Sequence, residues 1–265
     1  MTSQARSALR TVARAYDRAL PTRTGTTVLL YHRVGGRTPV PVDLPTERFR
    51  EQIASIASRA VTLDEAIDDD RADAPPRVVV TFDDGTADVV EEALPILVEH
   101  AVPAVLYVAT RFVEEQRDFP DDGKVVSWAA LRDAVSTGLL TLGSHTHGHA
   151  LLDRLDPAEV PDELDRSIDL IGERVGVAAE HFAYPKALPG SPAATAEVRR
   201  RFRSAAVAGT RVNPAGRLDP WHLHRSPIQV ADGPEDFARK AAGGLRIEDD
   251  LRRLVNRVRY RGATS

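Results

Sequence analysis

The chain has 265 residues, and 42% of them are hydrophobic, which is enough to bury the core of one barrel-sized domain or of two small ones. Its net charge of -4, made of both signs spread along the chain, argues against a nucleic-acid-binding surface and against an acidic disordered tail. The absence of cysteine excludes disulfides, thiolate metal sites and cysteine nucleophiles, so a metal site would have to use His, Asp and Glu.

The first 24 residues are predicted to form a basic amphipathic helix of their own. Arg6, Arg10, Arg14 and Arg18 recur every four residues and would share one face of this helix. We expect the helix to pack on the domain that follows; the alternative is that its basic face lies on an anionic membrane surface. The sequence shows no secretory signal and no apolar run of the ~18 residues that span a bilayer, so the expected location is cytoplasmic, with peripheral membrane association under that alternative.

Residues 25–232 are predicted to form one α/β domain, because short apolar runs alternate there with amphipathic segments. The predicted strands are Thr27–His32, Val78–Phe82, Ala104–Ala109, Leu139–Ser144, His181–Tyr184, Ser204–Ala208 and Leu223–Ile228. The predicted helices are Glu47–Arg59, Asp88–His100, Trp128–Ser136 and Pro161–Val175. Strands that alternate with helices indicate a parallel sheet with right-handed crossovers, and seven strands without an internal linker favour one closed or nearly closed barrel. Residues 233–265 are predicted to add a C-terminal helical extension.

Chemically reactive residue types follow the predicted strands, at the carboxyl ends where α/β barrels and open parallel sheets place their sites. The segment Thr81–Gly85, with the sequence TFDDG, puts Asp83 and Asp84 directly after a strand, and Gly85 permits a tight turn there. Adjacent carboxylates repel each other unless a cation holds one of them. By itself such a segment is more often a solvated acidic turn that caps the following helix.

A second cluster, the segment HTHGH, follows the fourth predicted strand and contains three of the eight histidines. His145 and His149 are four residues apart, so one helical turn would put both imidazoles on the same side, with His147 pointing elsewhere. This spacing suits two nitrogen ligands on one divalent metal ion. Two histidines and one aspartate complete the ligand set of an open catalytic metal site, and the remaining aspartate would be free to take a proton from a water that the metal activates.

Three further strand ends carry weaker candidates. After the fifth strand, Tyr184 and Pro185 lie in a turn whose backbone N–H could stabilise an oxyanion, although a buried aromatic turn is the commoner arrangement. At the last strand His224 is a candidate general acid for a leaving amine, although a histidine near a strand is more often structural. Tyr31 and His32, at the end of the first strand, are candidate substrate contacts.

Together these residues resemble the polysaccharide deacetylases, the family with the NodB-homology fold (carbohydrate esterase family four). The segments TFDDG and HTHGH are similar to the first two motifs of that family, and the similarity extends from about Leu29 to Arg225. The resemblance implies a single-domain, distorted seven-stranded (β/α) barrel with peripheral N- and C-terminal helices. It also implies a hydrolase that removes N-acetyl groups from sugars or glycans with one divalent metal ion, zinc being expected first and cobalt, nickel or manganese being alternatives.

The same resemblance implies roles for individual residues. The implied metal ligands are Asp84, His145 and His149. Asp83 would be the general base, the backbone N–H of Tyr184 would help to hold the oxyanion, and His224 would protonate the departing amine. Leu151 would lie near the acetyl methyl group. The residues expected to contact the substrate are Tyr31, His32, Leu151, Pro185, Trp221 and Arg225.

The chain departs from the family pattern in its third and last motifs. No arginine that could orient the base precedes Tyr184, and Lys-Ala at 186–187 replaces the more usual aromatic-Gly pair. The last motif, LHR at 223–225, allows two assignments: either His224 is the acid, or Arg225 contacts the base and the acid lies elsewhere. The missing arginine motivates a second hypothesis, a glycan-binding protein that keeps the metal and has lost turnover. Hydrolysis of O-acetyl sugars or of other acyl amides on the same site is a third.

Overall fold

The structure, a computed structural model, describes residues 24–245. In chain order the strands are β1 (Gly25–Tyr31), β2 (Arg33–Val34), β3 (Asp43–Leu44), β4 (Arg77–Phe82), β5 (Ala104–Val108), β6 (Leu140–Ser144), β7 (His181–Ala183), β8 (Ser204–Ala208), β9 (Asn213–Pro214) and β10 (Leu223–Pro227). Seven of them are parallel neighbours in the order β1-β4-β5-β6-β7-β8-β10, and β10 pairs again with β1. The predicted closed α/β barrel is therefore confirmed, and its seven strands are those that the sequence predicted.

Helices surround the barrel. In chain order they are α1 (Thr46–Ile56), α2 (Leu63–Asp68), α3 (Leu94–Glu99), α4 (Thr110–Glu114), α5 (Trp128–Ser136), α6 (Val160–Val175), α7 (Pro192–Arg201) and α8 (Pro234–Ala241). The four predicted helices are present, although the one predicted over Asp88–His100 consists of a π-helical turn, Val89–Ala93, followed by α3. Within residues 24–245 none of the helices combines the length and the apolar character that crossing a bilayer requires. The predicted N-terminal helix, up to residue 23, and the predicted extension after residue 245 lie outside the described residues.

The strands are buried on both faces, as parallel strands inside a ring of helices must be. In β4, Val78, Val80 and Phe82 face the helices and belong to a large outer core, whereas Val79 belongs to a separate cluster inside the barrel. This two-residue alternation fixes which strand residues point toward the barrel axis. It therefore also fixes which residues beyond each strand can reach the mouth of the barrel.

The amino-terminal end of the barrel is closed by α2. Leu63 and Ala66 of this helix belong to the interior cluster, and Arg77, the first residue of β4, donates a hydrogen bond to Asp69 O at the end of the helix (3.1 Å). A Thr62 capping box starts the helix. With this end closed, the carboxyl ends of the strands are the open end of the barrel.

The glycine at position 143 is required by close packing inside the barrel. A Cβ atom there would lie 2.6 Å from Tyr107 Cδ1 and 2.7 Å from His181 O, whereas a Cβ at Gly172, exposed on α6, would meet no atom within 4 Å. We expect Gly143→Ala to lower the free energy of unfolding by about 1–3 kcal/mol through overpacking. The matched control Gly172→Ala should raise it by about 0.5–1 kcal/mol, because alanine is the better helix former. Urea unfolding followed by circular dichroism measures both, and a neutral Gly143→Ala would contradict the packing inferred for the barrel interior.

Candidate metal centre

Asp84, His145 and His149 come together at the open end of the barrel. Their candidate ligand atoms all lie within 4.8 Å of one another. Asp84 Oδ1 is 3.6 Å from His145 Nε2 and 3.4 Å from His149 Nε2, and the two imidazole centroids are 5.0 Å apart. The structure thus brings together the three residues that the sequence analysis named as metal ligands, from two segments about sixty residues apart.

The segment of residues 145–149, called the histidine loop below, is not the helical turn that the sequence analysis expected. Thr146 (φ 63°) and His149 (φ 60°) both have left-handed backbone conformations, and these two reversals turn both imidazoles toward Asp84. A left-handed conformation costs a non-glycine residue roughly 1–2 kcal/mol. The four-residue spacing predicted that these two imidazoles would share one side, and they do, but through a loop rather than a helical turn. The loop therefore depends on the contacts that hold it.

His145 is prepared for binding through one of its two ring nitrogens. Its Nδ1 lies 2.7 Å from Ala183 O, the last carbonyl of β7, and this contact requires the proton to be on Nδ1 because a carbonyl can only accept. The lone pair of Nε2 then faces Asp84 and His149. Burial lowers the pKa of His145 to about 4, despite the opposing charge of Asp83, so the ring is neutral near pH 7. Metal ions are bound by neutral imidazoles whose other ring nitrogen donates a hydrogen bond, as Nδ1 of His145 does here.

The donor set fits a divalent metal ion. It offers two imidazole nitrogens and one carboxylate oxygen and leaves room for further ligands, which is the pattern of open catalytic sites for zinc and similar ions. Burial raises the pKa of Asp84, but the hydrogen bond to His149 and the neighbouring imidazoles of His32 and His145 outweigh it, and the pKa lies well below its usual range. Asp84 is therefore an ionised carboxylate.

Asp83 is held by Arg225. The guanidinium donates two parallel hydrogen bonds to the carboxylate, Nη1 to Oδ1 (2.6 Å) and Nη2 to Oδ2 (2.8 Å), and Nη1 also reaches Thr81 Oγ1 at 3.3 Å. Arg225 is fully buried, and Asp83 nearly so. Burial raises the pKa of Asp83, but the charges of Arg225 and His145 outweigh it and keep the pKa below its usual value. The arginine missing before Tyr184 is thus supplied from β10, as the second assignment of the last motif had it.

His32 follows Tyr31, whose carbonyl accepts a hydrogen bond from Asp83 N at 3.1 Å. The His32 imidazole contributes to the lowering of the pKa of Asp83 and of Asp84, and its Nδ1 is buried without a hydrogen-bond partner among the described residues. Alternation along β1 puts His32 on the same face as Val28, which belongs to the interior cluster. The neighbouring Tyr31 faces outward: its ring packs on Phe49 and its hydroxyl donates to Gln52 Oε1 at 2.9 Å. The expectation that Tyr31 contacts the substrate is therefore wrong, because its side chain is part of the outer core.

The structure does not place His224 at the metal centre. Arg225 pairs with Val28 of β1, and Val28 pairs with Val79 of β4. His224, one residue earlier, is therefore level with Val78, which lies five positions before Asp83. At ~3.3 Å per residue this is roughly 16 Å along the strand. His224 also occupies the strand face opposite to Arg225, and its ring packs edge-on against His222 (4.9 Å). The assignment of His224 as the general acid fails on both counts.

Trp221 is remote for the same reason. It precedes β10, at the amino-terminal end of the barrel, and its indole Nε1 donates to Phe202 O at 3.3 Å. Arg199 lies over its ring at 5.5 Å. The side chain therefore covers the outer core rather than the mouth of the barrel, and the expected substrate contact is corrected.

The backbone N–H of Tyr184 is already used. It donates to Ala206 O of β8 at 3.1 Å, so the expectation that it holds an oxyanion is not supported by this geometry. Pro185 is buried and begins a 3-10 turn in which Lys186 (φ 54°) and Ala187 (φ 55°) have left-handed conformations. Leu151 is buried directly after the histidine loop. Pro185 and Leu151 stay candidate substrate contacts.

The elements of the site that sequence reasoning missed are backbone groups and long-range partners. The carbonyl of Ala183 that orients His145 leaves no trace in a sequence. Thr110 Oγ1 lies 3.0 Å from His147 Nδ1. Thr110 is the first residue of a helix that is too short for a periodic pattern to reveal it. The partnership of Arg225 with Asp83 was not missed, since it is one of the two assignments that the last motif allowed. Alternation favours it, because it places this arginine on the inward face of the last strand, beside Leu223.

One family of known proteins matches the chain. Residues 70–204, about half of the chain, match a family model described as polysaccharide deacetylase. A comparison with curated proteins gives no match.

Several solved structures share the fold. IcaB from Ammonifex degensii is 24% identical with a TM-score of 0.70, and the match covers 83% of this chain and 97% of that one. The deacetylase PplD from Streptococcus pyogenes, solved in complex with acetate, is 19% identical with a TM-score of 0.71 and coverages of 83% and 99%. A de-N-acetylase from Aggregatibacter actinomycetemcomitans is 18% identical with a TM-score of 0.66 and coverages of 81% and 99%. At these identities the likeness establishes a common barrel.

The histidine loop offers a matched test of the metal ligands. Losing a hydrogen-bond partner of a metal ligand typically weakens metal binding by about 10- to 100-fold. His149→Ala should weaken zinc binding by more than that, because it removes a ligand itself. His147→Ala, two residues away, should bind zinc like the wild type, since the His147 ring faces Thr110 instead. Competition titration with a chromogenic zinc chelator measures both affinities. Equal affinities of the two variants would contradict the ligand set.

Proposed function

Because the chain belongs to the polysaccharide deacetylase family, we propose that it is a metal-dependent hydrolase that removes N-acetyl groups from N-acetylated sugars or glycans. The observation that carries the proposal is that two neighbouring carboxylates have different partners. Asp84 faces the Nε2 atoms of His145 and His149, whereas Asp83 is held by a buried arginine. This is the arrangement that hydrolysis of an amide needs, with one group on the metal and another group free to move a proton.

Asp84, His145 and His149 are the proposed ligands of one divalent ion. Zinc fits two imidazoles and one carboxylate well, and cobalt, nickel and manganese are accepted by the same donor types. When bound, the ion would supply Lewis acidity that activates water and polarises the acetamide carbonyl.

Asp83 is the proposed general base. Its lowered pKa keeps it ionised near pH 7, so it can accept the proton that water loses as it attacks the carbonyl carbon. The two bonds from Arg225 use only two of about four lone-pair positions on the carboxylate, which leaves others for this proton. Asp83 Oδ2 lies 3.8 Å from His145 Nε2, so this oxygen borders the proposed metal position. Arg225 fixes the orientation of the base through both of its oxygens.

His32 is the proposed general acid. Breaking the C–N bond requires a proton on the leaving nitrogen, and His32 is the described histidine outside the ligand set that neighbours both carboxylates. Its Nδ1 has no hydrogen-bond partner among the described residues, and the residue as a whole is half-buried, so that nitrogen is not tied to the fold by a hydrogen bond. In the balanced reaction, water adds its oxygen to the acetyl group, the C–N bond breaks, and the products are acetate and the free amine of the sugar.

The competing hypotheses share this site. A glycan-binding protein without turnover was motivated by the lack of an arginine on the base, and the Asp83–Arg225 pair removes that motive. An O-acetyl esterase would use the same base and metal, and would differ in needing less help from an acid because an alkoxide leaves more readily than an amide nitrogen. Acetate release from N-acetyl and O-acetyl sugars, measured side by side, separates the two activities.

The assignment of the base has a direct test. Asp83→Asn should lower the rate of acetate release from N-acetylglucosamine oligomers by on the order of 10²–10⁴-fold, because an amide cannot take the proton. Zinc affinity should be nearly unchanged, since Asp83 is outside the ligand set. A coupled acetate assay and the chelator competition give the two quantities, and a variant with full activity would show that another group is the base.

The assignment of the acid has a matched control in a second histidine. His32→Gln should lower acetate release by about 10²–10⁴-fold, because the amide cannot protonate the leaving nitrogen. His224→Gln should keep the wild-type rate, since His224 lies near the other end of the barrel. If His224→Gln were the inactive variant, the acid assignment would have to be reversed.

A further inference from the structure

The histidine loop is fastened to helix α6 by a single residue, Glu163. From its contacts we propose that Glu163 is a positioning residue that clamps the loop in the shape in which His149 can bind the metal. The inference rests on the proposed metal site, and it concerns how this chain builds that site rather than how the reaction proceeds.

Glu163 holds two successive amides of the loop. Its backbone carbonyl accepts a hydrogen bond from His147 N at 3.2 Å, and its carboxylate accepts one from Gly148 N. The second bond is charge-assisted, which makes it stronger than a neutral hydrogen bond. A Cβ at Gly148 would lie 3.2 Å from Glu163 Oε1, so the carboxylate lies directly against this glycine. Both bonds are made to the two residues that precede His149.

The opposite side of the loop is fixed by the first turn of α4. Arg111 N donates to His147 O at 2.9 Å, and Thr110 N donates to Thr146 O at 3.4 Å. The loop is thus held between two helices while Thr146 and His149 stay in left-handed conformations that they would not favour alone. Glu163 supplies the only side-chain contact from α6 to the amides of residues 147 and 148 among the described residues. Its loss would free the part of the loop nearest to His149.

The geometry singles out Glu163 from the other acidic residues of α6 and the turn before it. These border a groove of about 570 Å³ beside the histidine loop, together with His147. Within residues 24–245, Asp162 is exposed and its carboxylate makes no hydrogen bond or ion pair, whereas Asp165 is paired with Arg201. Glu159 accepts a bond from Asp156 N at 3.3 Å. A general effect of negative charge in this groove would be shared by Asp162, and a clamp would not.

Three variants of the full chain test the proposal. Glu163→Ala removes the acceptor of the Gly148 bond, Glu163→Gln keeps an oxygen acceptor but removes the charge, and Asp162→Ala removes the same charge from the same groove. Two measurements need no sugar substrate. They are zinc affinity by chelator competition, and hydrogen exchange of the backbone amides of residues 146–150 in the metal-free protein. Thermal unfolding by circular dichroism reports whether each variant folds.

The clamp predicts that Glu163→Ala weakens zinc binding by about 10- to 100-fold and speeds amide exchange in the loop. Glu163→Gln should recover most of both losses, and Asp162→Ala should behave like the wild type. Wild-type affinity and exchange in Glu163→Ala would overturn the proposal, as would equal losses in Asp162→Ala or no recovery in Glu163→Gln. If the wild type bound zinc but released no acetate from any acetylated sugar, the proposed function would be wrong, but the test of the Glu163 clamp would still be valid. If it bound no zinc, the exchange comparison alone would decide.

Discussion

Two carboxylates that are neighbours in the chain, Asp83 and Asp84, lie at one mostly buried strand end, where each needs its own positive partner to stay ionised. Like charges so close together would otherwise force one of them to take up a proton. Asp83 is neutralised by Arg225, and Asp84 faces two imidazole nitrogens that are arranged as metal ligands. The two roles that we propose for them, moving a proton for Asp83 and holding an ion for Asp84, would thereby be separated over one peptide bond.

This separation depends on the closure of the barrel. Arg225 comes from the last strand, β10, and it reaches Asp83 because β10 pairs with β1, which pairs with β4. An open sheet of the same strands would leave Asp83 without its partner. A buried guanidinium and carboxylate are costly to desolvate, and removing one partner of such a pair typically costs about 3–5 kcal/mol. The closure of the barrel and the environment of the proposed base are therefore coupled.

Much of this could be predicted from the sequence, since alternation of strands and helices gives a parallel barrel and reactive residues follow the strands. The predictions that failed concerned where individual side chains point and how far along a strand they lie. Tyr31 and His224 were plausible by residue type, but the pleat turns Tyr31 outward, and the register leaves His224 far below the mouth of the barrel. The histidine loop was expected to be helical, because spacing alone does not reveal two left-handed residues. Register, backbone reversals and carbonyl partners such as Ala183 arise from tertiary packing, which one sequence does not encode locally.

The central claim is that Asp84, His145 and His149 hold one ion while Asp83 stays on Arg225. X-ray absorption at the zinc edge, combined with a crystal structure of the zinc-loaded protein, tests it most directly. The account predicts one zinc per chain, with two imidazole nitrogens at about 2.0–2.1 Å and one carboxylate oxygen of Asp84 at about 2.0–2.2 Å. Zinc bound elsewhere, or held by Asp83 with the Arg225 pair broken, would contradict it.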